Sequence, residues 1–366
     1  MITFDRVTKR FSDGTVGVEA LSLDIETGEI VVLVGPSGCG KTTSMRMVNR
    51  MIEPSDGSLT IDGDDVTTFD PPALRRQIGY VIQQTGLFPH RTTAQNIATV
   101  PELLGWDRDR ITERVRELIA TVGLPESVTD RYPHQLSGGQ RQRVGVARAL
   151  AVDPPIMLMD EPFGAVDPLV RGRLQEEFRR LQAEMRKTTV FVTHDIDEAI
   201  RMGDRIAILS EGGRLQQFDA PATILAEPAN QFVADFLGGE RGLKRLALIE
   251  VSEVTAEPGP VVRTGEDRAR AEEVARAAGT DWVVVVGDDG YLRGWTALSE
   301  VNGKVPDEDG ALQRFSLRLR ATDTLRTALD AMVTSHTGVA VRVRAEDRGD
   351  RYEGVLTQET LTREIA

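Results

Sequence analysis

The chain has 366 residues with 57 acidic and 44 basic side chains, and its formal net charge of −13 disfavours a grip on nucleic-acid phosphates as the main activity. At this length one hydrophobic core rarely suffices, so we expect two domains. Cys39 is the single cysteine, which excludes an intrachain disulfide and favours a reducing, cytoplasmic setting. The N-terminus lacks a secretion signal and the longest apolar runs are strand-sized, so a role at a membrane should require a partner.

The first 238 residues show the pattern of an α/β domain. Residues 1–30 alternate as short strands with turns, and a hairpin signal at 59–63 extends this predicted antiparallel subdomain. Apolar strands separated by helices then predict a parallel sheet covered on both faces. These strands are expected at 30–34, 80–82, 156–159, 190–193 and 206–209. Residues from about 94 to 152 are predicted to form a helical insert, in which 110–122 is the clearest amphipathic helix.

The organisation changes near residues 236–239, and 240–366 form the second predicted domain. Two weakly similar halves each pair a β-branched run with a Gly-containing turn, at 282–287 and at 338–349. A helix at 324–332 precedes the second run. We therefore expect two copies of a βαβ-like unit, at about 250–300 and about 313–366, in an α+β arrangement.

The sequence GPSGCGKT, residues 35–42, follows the first buried strand and precedes a helix. It matches G-x-x-x-x-G-K-[ST] in the strand–loop–helix setting that this motif needs. Backbone N–H groups of such a loop surround phosphates, while Lys41 reaches the β and γ phosphates and the Thr42 hydroxyl ligates Mg²⁺. We predict a nucleoside triphosphate site formed by Gly35, Pro36, Ser37, Gly38, Cys39, Gly40, Lys41, Thr42 and Thr43.

Two further apolar strands end in polar residues. Asp160 and Glu161 follow one strand, and we expect Asp160 to hold Mg²⁺ and Glu161 to polarise the attacking water. His194 ends another strand and should face the same crevice, where it would sense the γ-phosphate. Each feature alone is common in structural roles, but together with the phosphate loop they indicate catalysis.

The segment LSGGQ, residues 136–140, opens a predicted helix. Two glycines behind a serine at a helix start predict an anion-binding nest, and hence a second phosphate-facing surface formed by Ser137, Gly138, Gly139 and Gln140. One fold does not easily bring both surfaces to one nucleotide. We therefore expect a head-to-tail homodimer with ATP between the phosphate loop of one subunit and the Ser137 surface of the other.

With these motifs in this order, residues 1 to about 238 resemble the ATPase subunits of ATP-binding cassette (ABC) transporters. The resemblance implies a P-loop NTPase with antiparallel and helical subdomains that hydrolyses ATP to drive transport. It also implies that Gln83 in YVIQQ touches Mg²⁺ and connects to the transmembrane partner, and that Asp167 in GAVD lies at the dimer interface. Phe11 occupies the position of the aromatic that stacks on adenine, more often Tyr in the family; an ordinary core aromatic is the alternative.

The stretches around 79–106, 131–168 and 191–208 resemble one branch, the ATPases of glycine betaine, carnitine, choline and proline betaine importers. This implies a membrane permease as partner, docked on a groove that includes residues 87–90, with an extracytoplasmic substrate-binding protein or domain. The subunit would lie peripherally on the cytoplasmic face of the cell membrane. An importer of another solute, such as an amino acid or a sulfonate, remains an alternative, as does a soluble ABC ATPase without a transport role.

The tail resembles the paired CBS modules (cystathionine β-synthase type) carried by this branch. Such modules often bind adenosyl ligands through a Thr and an Asp three residues later, but here Thr357 is followed by Thr360, and Thr296 by Ser299. The missing carboxylate leaves an AMP or ATP ligand open. In this branch the tail is implicated in regulation by ionic strength or a cyclic dinucleotide; a dimerisation or docking module is the alternative.

Overall fold

The computed structural model describes residues 1–83, 86–164, 167–306 and 311–365. For residues 168–170 it describes the backbone alone. The chain divides into two compact units, Met1–Gly238 and Gly239–Ala366, which are described separately. No helix within the described ranges is both long enough and apolar enough to span a bilayer.

The first unit alternates strands and helices along most of its length. Its strands are β1 (Ile2–Arg10), β2 (Val16–Ile25), β3 (Ile30–Val34), β4 (Asp56–Ile61), β5 (Asp64–Asp65), β6 (Ile78–Val81), β7 (Ile156–Asp160), β8 (Thr188–Thr193), β9 (Arg205–Ser210) and β10 (Arg214–Asp219). Its helices are α1 (Lys41–Val48), α2 (Pro71–Arg76), α3 (Thr93–Ile97), α4 (Thr99–Leu103), α5 (Arg108–Thr121), α6 (Gly138–Ala149), α7 (Pro168–Met185), α8 (Ile196–Met202), α9 (Pro221–Ala226) and α10 (Gln231–Leu237).

A six-stranded sheet in the order β10-β9-β3-β8-β7-β6 forms the centre of this unit. The five strands from β9 to β6 are parallel, and only β10 runs antiparallel at its edge. Every residue of β3, β7 and β8 is buried, as expected for strands covered on both faces. The predicted α/β fold is confirmed. Strand β8 begins two residues earlier than predicted. Its first two residues, Thr188 and Thr189, are polar but buried, so the apolar pattern of the sequence did not include them.

The antiparallel sheet β2-β1-β4-β5 packs on the same hydrophobic core as the parallel sheet. Leu21 and Leu59 from the antiparallel sheet share this core with Leu33, Leu158 and Val192 from the parallel one. Val18 is the first buried residue of β2. The residue before it, Gly17, lies against Gly40 in the loop that follows β3, so the start of β2 lies beside that loop. Apolar packing thus sets the two sheets in place around that loop.

The segment between β6 and β7 contains helices α3 to α6 and no strand among its described residues. Thr92 caps α3 in a reciprocal capping box with Gln95, which satisfies two otherwise unpaired N–H groups. Asn96 is buried on α3, and its amide nitrogen donates to the carbonyls of Phe88 and Arg91 at 3.2 and 3.0 Å. These bonds fix the turn between residues 88 and 91 against the helical segment.

The second unit contains two three-stranded sheets with the same order and direction of strands. Its elements are α11 (Arg241–Leu246), β11 (Val261–Arg263), α12 (Arg268–Ala278), β12 (Trp282–Val286), β13 (Leu292–Ala297), β14 (Arg318–Leu319), α13 (Leu325–Thr334), β15 (Ala340–Glu346), β16 (Gly349–Leu356) and α14 (Gln358–Ile365). In each half a helix joins two parallel strands, and a third strand pairs antiparallel with the second. Trp282, Val284, Val341 and Val343 form one core from both sheets.

Strand β8 lies in the middle of the parallel sheet, so its largest buried side chain tests how far stability depends on this core. Phe191 is fully buried and contacts the ring of Phe163 at a centroid distance of 6.0 Å. Phe191→Ala should lower the unfolding free energy by about 3 to 5 kcal/mol, since it leaves a cavity. Denaturant unfolding measures this loss; Leu103→Ala, at a side chain 71% exposed, should change stability by less than about 0.5 kcal/mol. Equal effects of both variants would contradict the assignment of the core.

Candidate nucleotide site

The phosphate loop joins β3 to α1 and is held from within by its lysine. Lys41 is 6% exposed, and its Nζ donates to the carbonyls of Gly35 and Pro36 at 2.8 Å each. Pro36, Ser37 and Gly38 lie exposed at the tip of the loop, whereas the Cys39 side chain is buried in the core. The ammonium group is therefore positioned before any phosphate arrives, and the Cys39 thiol faces away from solvent.

Gly40 connects the phosphate loop to the turn that carries Phe11. Its φ of 94° lies in the left-handed region, and a Cβ there would sit 2.1 Å from the carbonyl oxygen of Gly17. The Phe11 ring covers the other side of Gly17, where a Cβ would lie 2.7 Å from Phe11 Cε2. Phe11 is 39% exposed, so the alternative of an ordinary core aromatic is wrong. An exposed ring face lies next to the phosphate loop.

The Thr42 hydroxyl donates to Oδ1 of Asp160 at 2.9 Å, which joins the start of α1 to the end of β7. Asp160 is 5% exposed, and Arg46 Nη2 lies 3.9 Å from its Oδ2. Burial raises the pKa of the Asp160 carboxyl, while the Thr42 hydrogen bond and the Arg46 charge act in the opposite direction. A cation near this carboxylate would favour its charged form.

Glu161 is the point where the three predicted catalytic residues meet. Its Oε2 accepts a hydrogen bond from Gln83 Nε2 at 2.7 Å, and its Oε1 lies 3.1 Å from His194 Nδ1. The backbone of Glu161 has a φ of 43°, a left-handed value that is uncommon for a residue with a side chain. Gln83 after β6 and His194 after β8 thus both contact the carboxylate that follows β7, at the carboxyl edge of the sheet.

A buried polar pair behind His194 was not found from the sequence. Glu198 on α8 is 6% exposed, and its Oε1 accepts a hydrogen bond from Gln175 Nε2 on α7 at 2.9 Å. Asp195 caps α8 by accepting from the backbone N–H of Asp197 at 2.9 Å. Burial raises the pKa of Glu198. The only sequence signal was a glutamate beside the apolar Ala199, which is a weak one.

Ser137 begins α6 in a reciprocal capping box. Its Oγ accepts from the Gln140 N–H at 3.2 Å, and Gln140 Oε1 accepts from the Ser137 N–H at 2.9 Å. The predicted nest is wrong, because Gly138 and Gly139 are the first residues of a regular helix and neither has a positive φ. A Cβ at Gly138 would meet nothing within 4 Å, so packing inside the subunit does not require this glycine. The surface is an open helix N-terminus, which also favours anions.

Asp167 precedes α7, and its carbonyl accepts a hydrogen bond from the Arg171 N–H at 2.9 Å. It is exposed. Ala165 and Val166 of the GAVD motif lie outside the described residues, as do Gln84 and Thr85 after Gln83. Thr43, the last predicted phosphate-loop residue, is half-buried in the first turn of α1.

In the tail, the threonine pair that departs from the adenosyl-binding pattern has a carboxylate beside it. Glu257 Oε1 accepts from the hydroxyl of Thr357 at 3.3 Å and from that of Thr360 at 3.4 Å. In the first half, Thr296 is fully buried, and its hydroxyl donates to the Ala297 carbonyl at 3.3 Å. The carboxylate therefore comes from a distant segment, which the local sequence around Thr357 could not reveal.

The sequence is similar to ATP-binding proteins of bacterial import systems. Residues 18–164 match the family described as ABC transporter. The glycine betaine/carnitine/choline transport ATP-binding protein OpuCA of Bacillus subtilis (strain 168) is 48% identical over 303 residues, covering 82% of this chain and 80% of that protein. The chain belongs to the ATP-binding subunits of ABC transporters. The osmoprotectant import ATP-binding protein OsmV of Salmonella typhimurium is 41% identical over 367 residues, covering 99% of this chain and 95% of that protein.

Solved ABC cassettes have the same fold. The dimeric structure of MJ0796, a bacterial ABC transporter cassette, is 35% identical with a TM-score of 0.55, over 60% of this chain and 99% of that one. A dimeric post-hydrolysis state of MJ0796 bound to ADP and Pi is 34% identical, also with a TM-score of 0.55, and covers 60% and 99% of the two chains. The predicted P-loop NTPase fold is confirmed. ABC ATPases bind ATP and hydrolyse it to drive transport, and the present chain is such an ATPase.

The buried Glu198 predicts how stability depends on pH. Because its pKa in the folded state lies above the ordinary value of 4.5, the folded state holds its proton longer than the unfolded state does. Stability is therefore lost as pH rises through that ordinary value towards the raised one. Glu198→Gln removes this titration, so its stability relative to the unsubstituted chain should increase across the window. Denaturant unfolding from about pH 4 to about pH 7 measures the difference.

The matched control for this experiment is Glu184→Gln, at an exposed position on α7. Its pH profile should parallel that of the unsubstituted chain. A Glu198→Gln profile that also runs parallel would show that Glu198 ionises without a burial cost.

Proposed function

We propose that two copies of this chain energise the uptake of quaternary amine osmoprotectants through a partner permease, lying peripherally on the cytoplasmic face of the cell membrane. The substrate class would comprise glycine betaine, choline, carnitine and proline betaine. Support comes from relatives named for transport of these solutes, including the glycine betaine/proline betaine transport system ATP-binding protein ProV of Escherichia coli, 37% identical over 366 residues. The solute itself would contact the permease and an extracytoplasmic binding protein.

The observation that carries the hydrolytic role is the pair of hydrogen bonds to Glu161. Held by Gln83 at 2.7 Å and by His194 at 3.1 Å, the carboxylate has a defined position at the sheet edge beside the phosphate loop. In this role Glu161 is the general base, which accepts a proton from the water that attacks the γ-phosphate. His194 contacts Glu161 through Nδ1, which leaves its Nε2 to face a γ-phosphate oxygen. Lys41 would stabilise charge developing on the phosphates.

The donor chemistry around Thr42 fits Mg²⁺. The Thr42 hydroxyl and the Asp160 carboxylate lie within 2.9 Å of each other, and Gln83 adds an amide oxygen when its nitrogen donates to Glu161. Mg²⁺ prefers such hard oxygen ligands and completes its shell with phosphates and water. Bound there, it would neutralise charge on the β and γ phosphates. The chain itself contributes the ordering of Thr42 by Asp160.

A head-to-tail dimer would complete the site. Ser137 and Gly138 lie exposed at the start of α6, and packing inside the subunit does not require a glycine at 138. A glycine without a side chain would let the backbone approach a phosphate bound to the other subunit closely. Asp167 is exposed just before α7 and would lie at the same interface. Phe11 would stack on the adenine beside the phosphate loop. The dimeric form of the MJ0796 cassette is consistent with this arrangement.

The permease would dock on a groove at the edge of the parallel sheet. This cavity, of about 440 Å³, is bordered by Met51, Tyr80 and Phe88. Met51 is 51% exposed and Phe88 is 40% exposed, so two large apolar side chains meet solvent beside it. Apolar surface of this kind is typical of a protein interface. Residues 87–90 would contribute one wall.

For the tail, we propose a tandem CBS-like region at 240–366, with copies at about 250–300 and about 313–366, following a nucleotide-binding domain at 1–238 with a helical subdomain at about 94–152. The shared strand–helix–strand–strand order of the two halves supports this. A docking module would show the same order. Importers of an amino acid or sulfonate remain the alternative for the solute, because solute choice rests with other subunits.

The hydrolytic assignment predicts a separation of binding from catalysis. Glu161→Gln keeps the shape and the hydrogen bond to Gln83 but removes the base. ATP hydrolysis should fall by about 10² to 10⁴-fold, while ATP affinity changes by less than a few-fold. Steady-state phosphate release and equilibrium nucleotide binding measure the two quantities. Glu184→Gln serves as control and should hydrolyse ATP normally; normal turnover in Glu161→Gln would sink the assignment.

The solute assignment is tested by ATP-dependent uptake of radiolabelled glycine betaine into vesicles that contain this subunit with its permease and binding protein. We expect uptake that competes with choline and carnitine and stops in Glu161→Gln. Salt dependence that disappears when residues 240–366 are removed would indicate a regulatory tail. ATP hydrolysis without uptake of any quaternary amine would contradict the solute class and leave the ATPase assignment in place.

A further inference from the structure

The second unit contains a cavity of about 470 Å³ whose charge is unusual for this acidic chain. It lies against strands β15 and β16, and its charged lining consists of Arg342, Arg344, Arg351 and Glu353. Three guanidinium groups face one carboxylate, which leaves two positive charges uncompensated in a chain whose net charge is −13. The volume falls within the usual range of small-ligand pockets.

The single carboxylate is already shared. Glu353 Oε2 accepts from Arg342 Nε at 3.0 Å, and its Oε1 pairs with Arg344 Nη2 at 2.5 Å. Arg342 also donates to the carbonyls of Val251 and Val254 at 3.0 and 3.2 Å, so its guanidinium is locked in place. Arg351 makes no ion pair with any residue in the described ranges. Arg342 is therefore fixed in position, and the cluster carries more positive charge than Glu353 compensates.

The strand register adds a second, independent observation. Arg344 and Arg351 are direct partners across the antiparallel pair β15 and β16. Like charges directly opposite each other on a sheet destabilise it, and Glu353 pairs with Arg344 but with no group of Arg351, so the repulsion is only partly compensated. Arginine forks match the geometry of phosphate oxygens and bind them through paired hydrogen bonds. Tyr352 also lines the cavity. Its hydroxyl donates a hydrogen bond to the Pro258 carbonyl at 2.7 Å.

We propose that this cavity binds a phosphate dianion, with Arg351 and Arg344 as the principal ligands and Arg342 as a fixed anchor beneath them. Two uncompensated positive charges match the charge of a phosphate group near neutral pH. Thr255 lines the same cavity. A free phosphate compound presents this dianion, and the phosphodiester of an anionic lipid headgroup presents the same kind of oxygens with one negative charge. The site lies within the second unit and does not depend on the transport function.

Isothermal titration of the full chain with inorganic phosphate tests this, with the nucleotide site saturated by ADP and with chloride at matched ionic strength. Arg351→Gln and Arg344→Gln should each weaken phosphate binding about tenfold or more. The matched control is Arg348→Gln, which removes the same charge from the exposed turn after β15 and should change the affinity by less than about twofold. Arg351 has no ion pair to lose, so its variant should fold normally.

Glu353→Gln provides a readout of opposite sign. Removing the carboxylate frees two guanidinium groups and abolishes its repulsion of the anion, so phosphate affinity should increase severalfold. A purely structural role for the cluster would not produce a gain. In a second arm, vesicles of phosphatidylglycerol should retain the chain and vesicles of phosphatidylcholine should not, if a lipid headgroup is the source. If Arg351→Gln abolishes retention on these vesicles and Arg348→Gln does not, the result supports binding of a lipid phosphate in this cavity.

Two results would overturn the proposal. One is the absence of saturable binding to both inorganic phosphate and phosphatidylglycerol vesicles. The other is an equal loss of binding in Arg348→Gln and Arg351→Gln, which would show that only the overall charge of the tail matters.

Discussion

The nucleotide site depends on the parallel register of β3, β7 and β8. Val34 pairs with Thr193, and Asp160 with Val192, so the three strands end at one edge of the sheet. This alignment brings Thr42 after β3 within hydrogen-bond reach of Asp160 at the end of β7, and Glu161 within reach of His194 after β8. The strands stay aligned because each is buried on both faces, and a slip by one residue would move polar groups into the core. Hydrophobic burial thus fixes the geometry of the catalytic groups.

Polar residues around the site are ordered by bonds within the chain before a nucleotide arrives. Lys41 is held by two carbonyls and Asp160 by the Thr42 hydroxyl. Glu161 carries a strained backbone and two side-chain partners from other segments. Such preorganisation lowers the reorganisation that the reaction would otherwise require. The cavity at β15 and β16 shows the opposite balance, since three guanidinium groups line it with one carboxylate, Glu353.

Sequence reasoning was most successful where a residue's role follows from its position at the end of an apolar strand. The phosphate loop, Glu161 and His194 were placed this way, and Gln83 by resemblance. The nest at Gly138 was wrong because a capping box draws the glycines into a regular helix. Glu198 and Glu257 were missed because their partners, Gln175 and Thr357, lie far away in the sequence, and a single sequence gives no signal for such pairs.

The central claim is that Glu161 and His194 act as one unit on the γ-phosphate. A double-mutant cycle on single-turnover ATP hydrolysis tests it directly, with His194→Ala measured both in the unsubstituted chain and in the Glu161→Gln background. If the two residues share one function through their 3.1 Å contact, His194→Ala will cost far less in the second background than in the first. Additive losses would contradict the account, because they would show that the two side chains act independently.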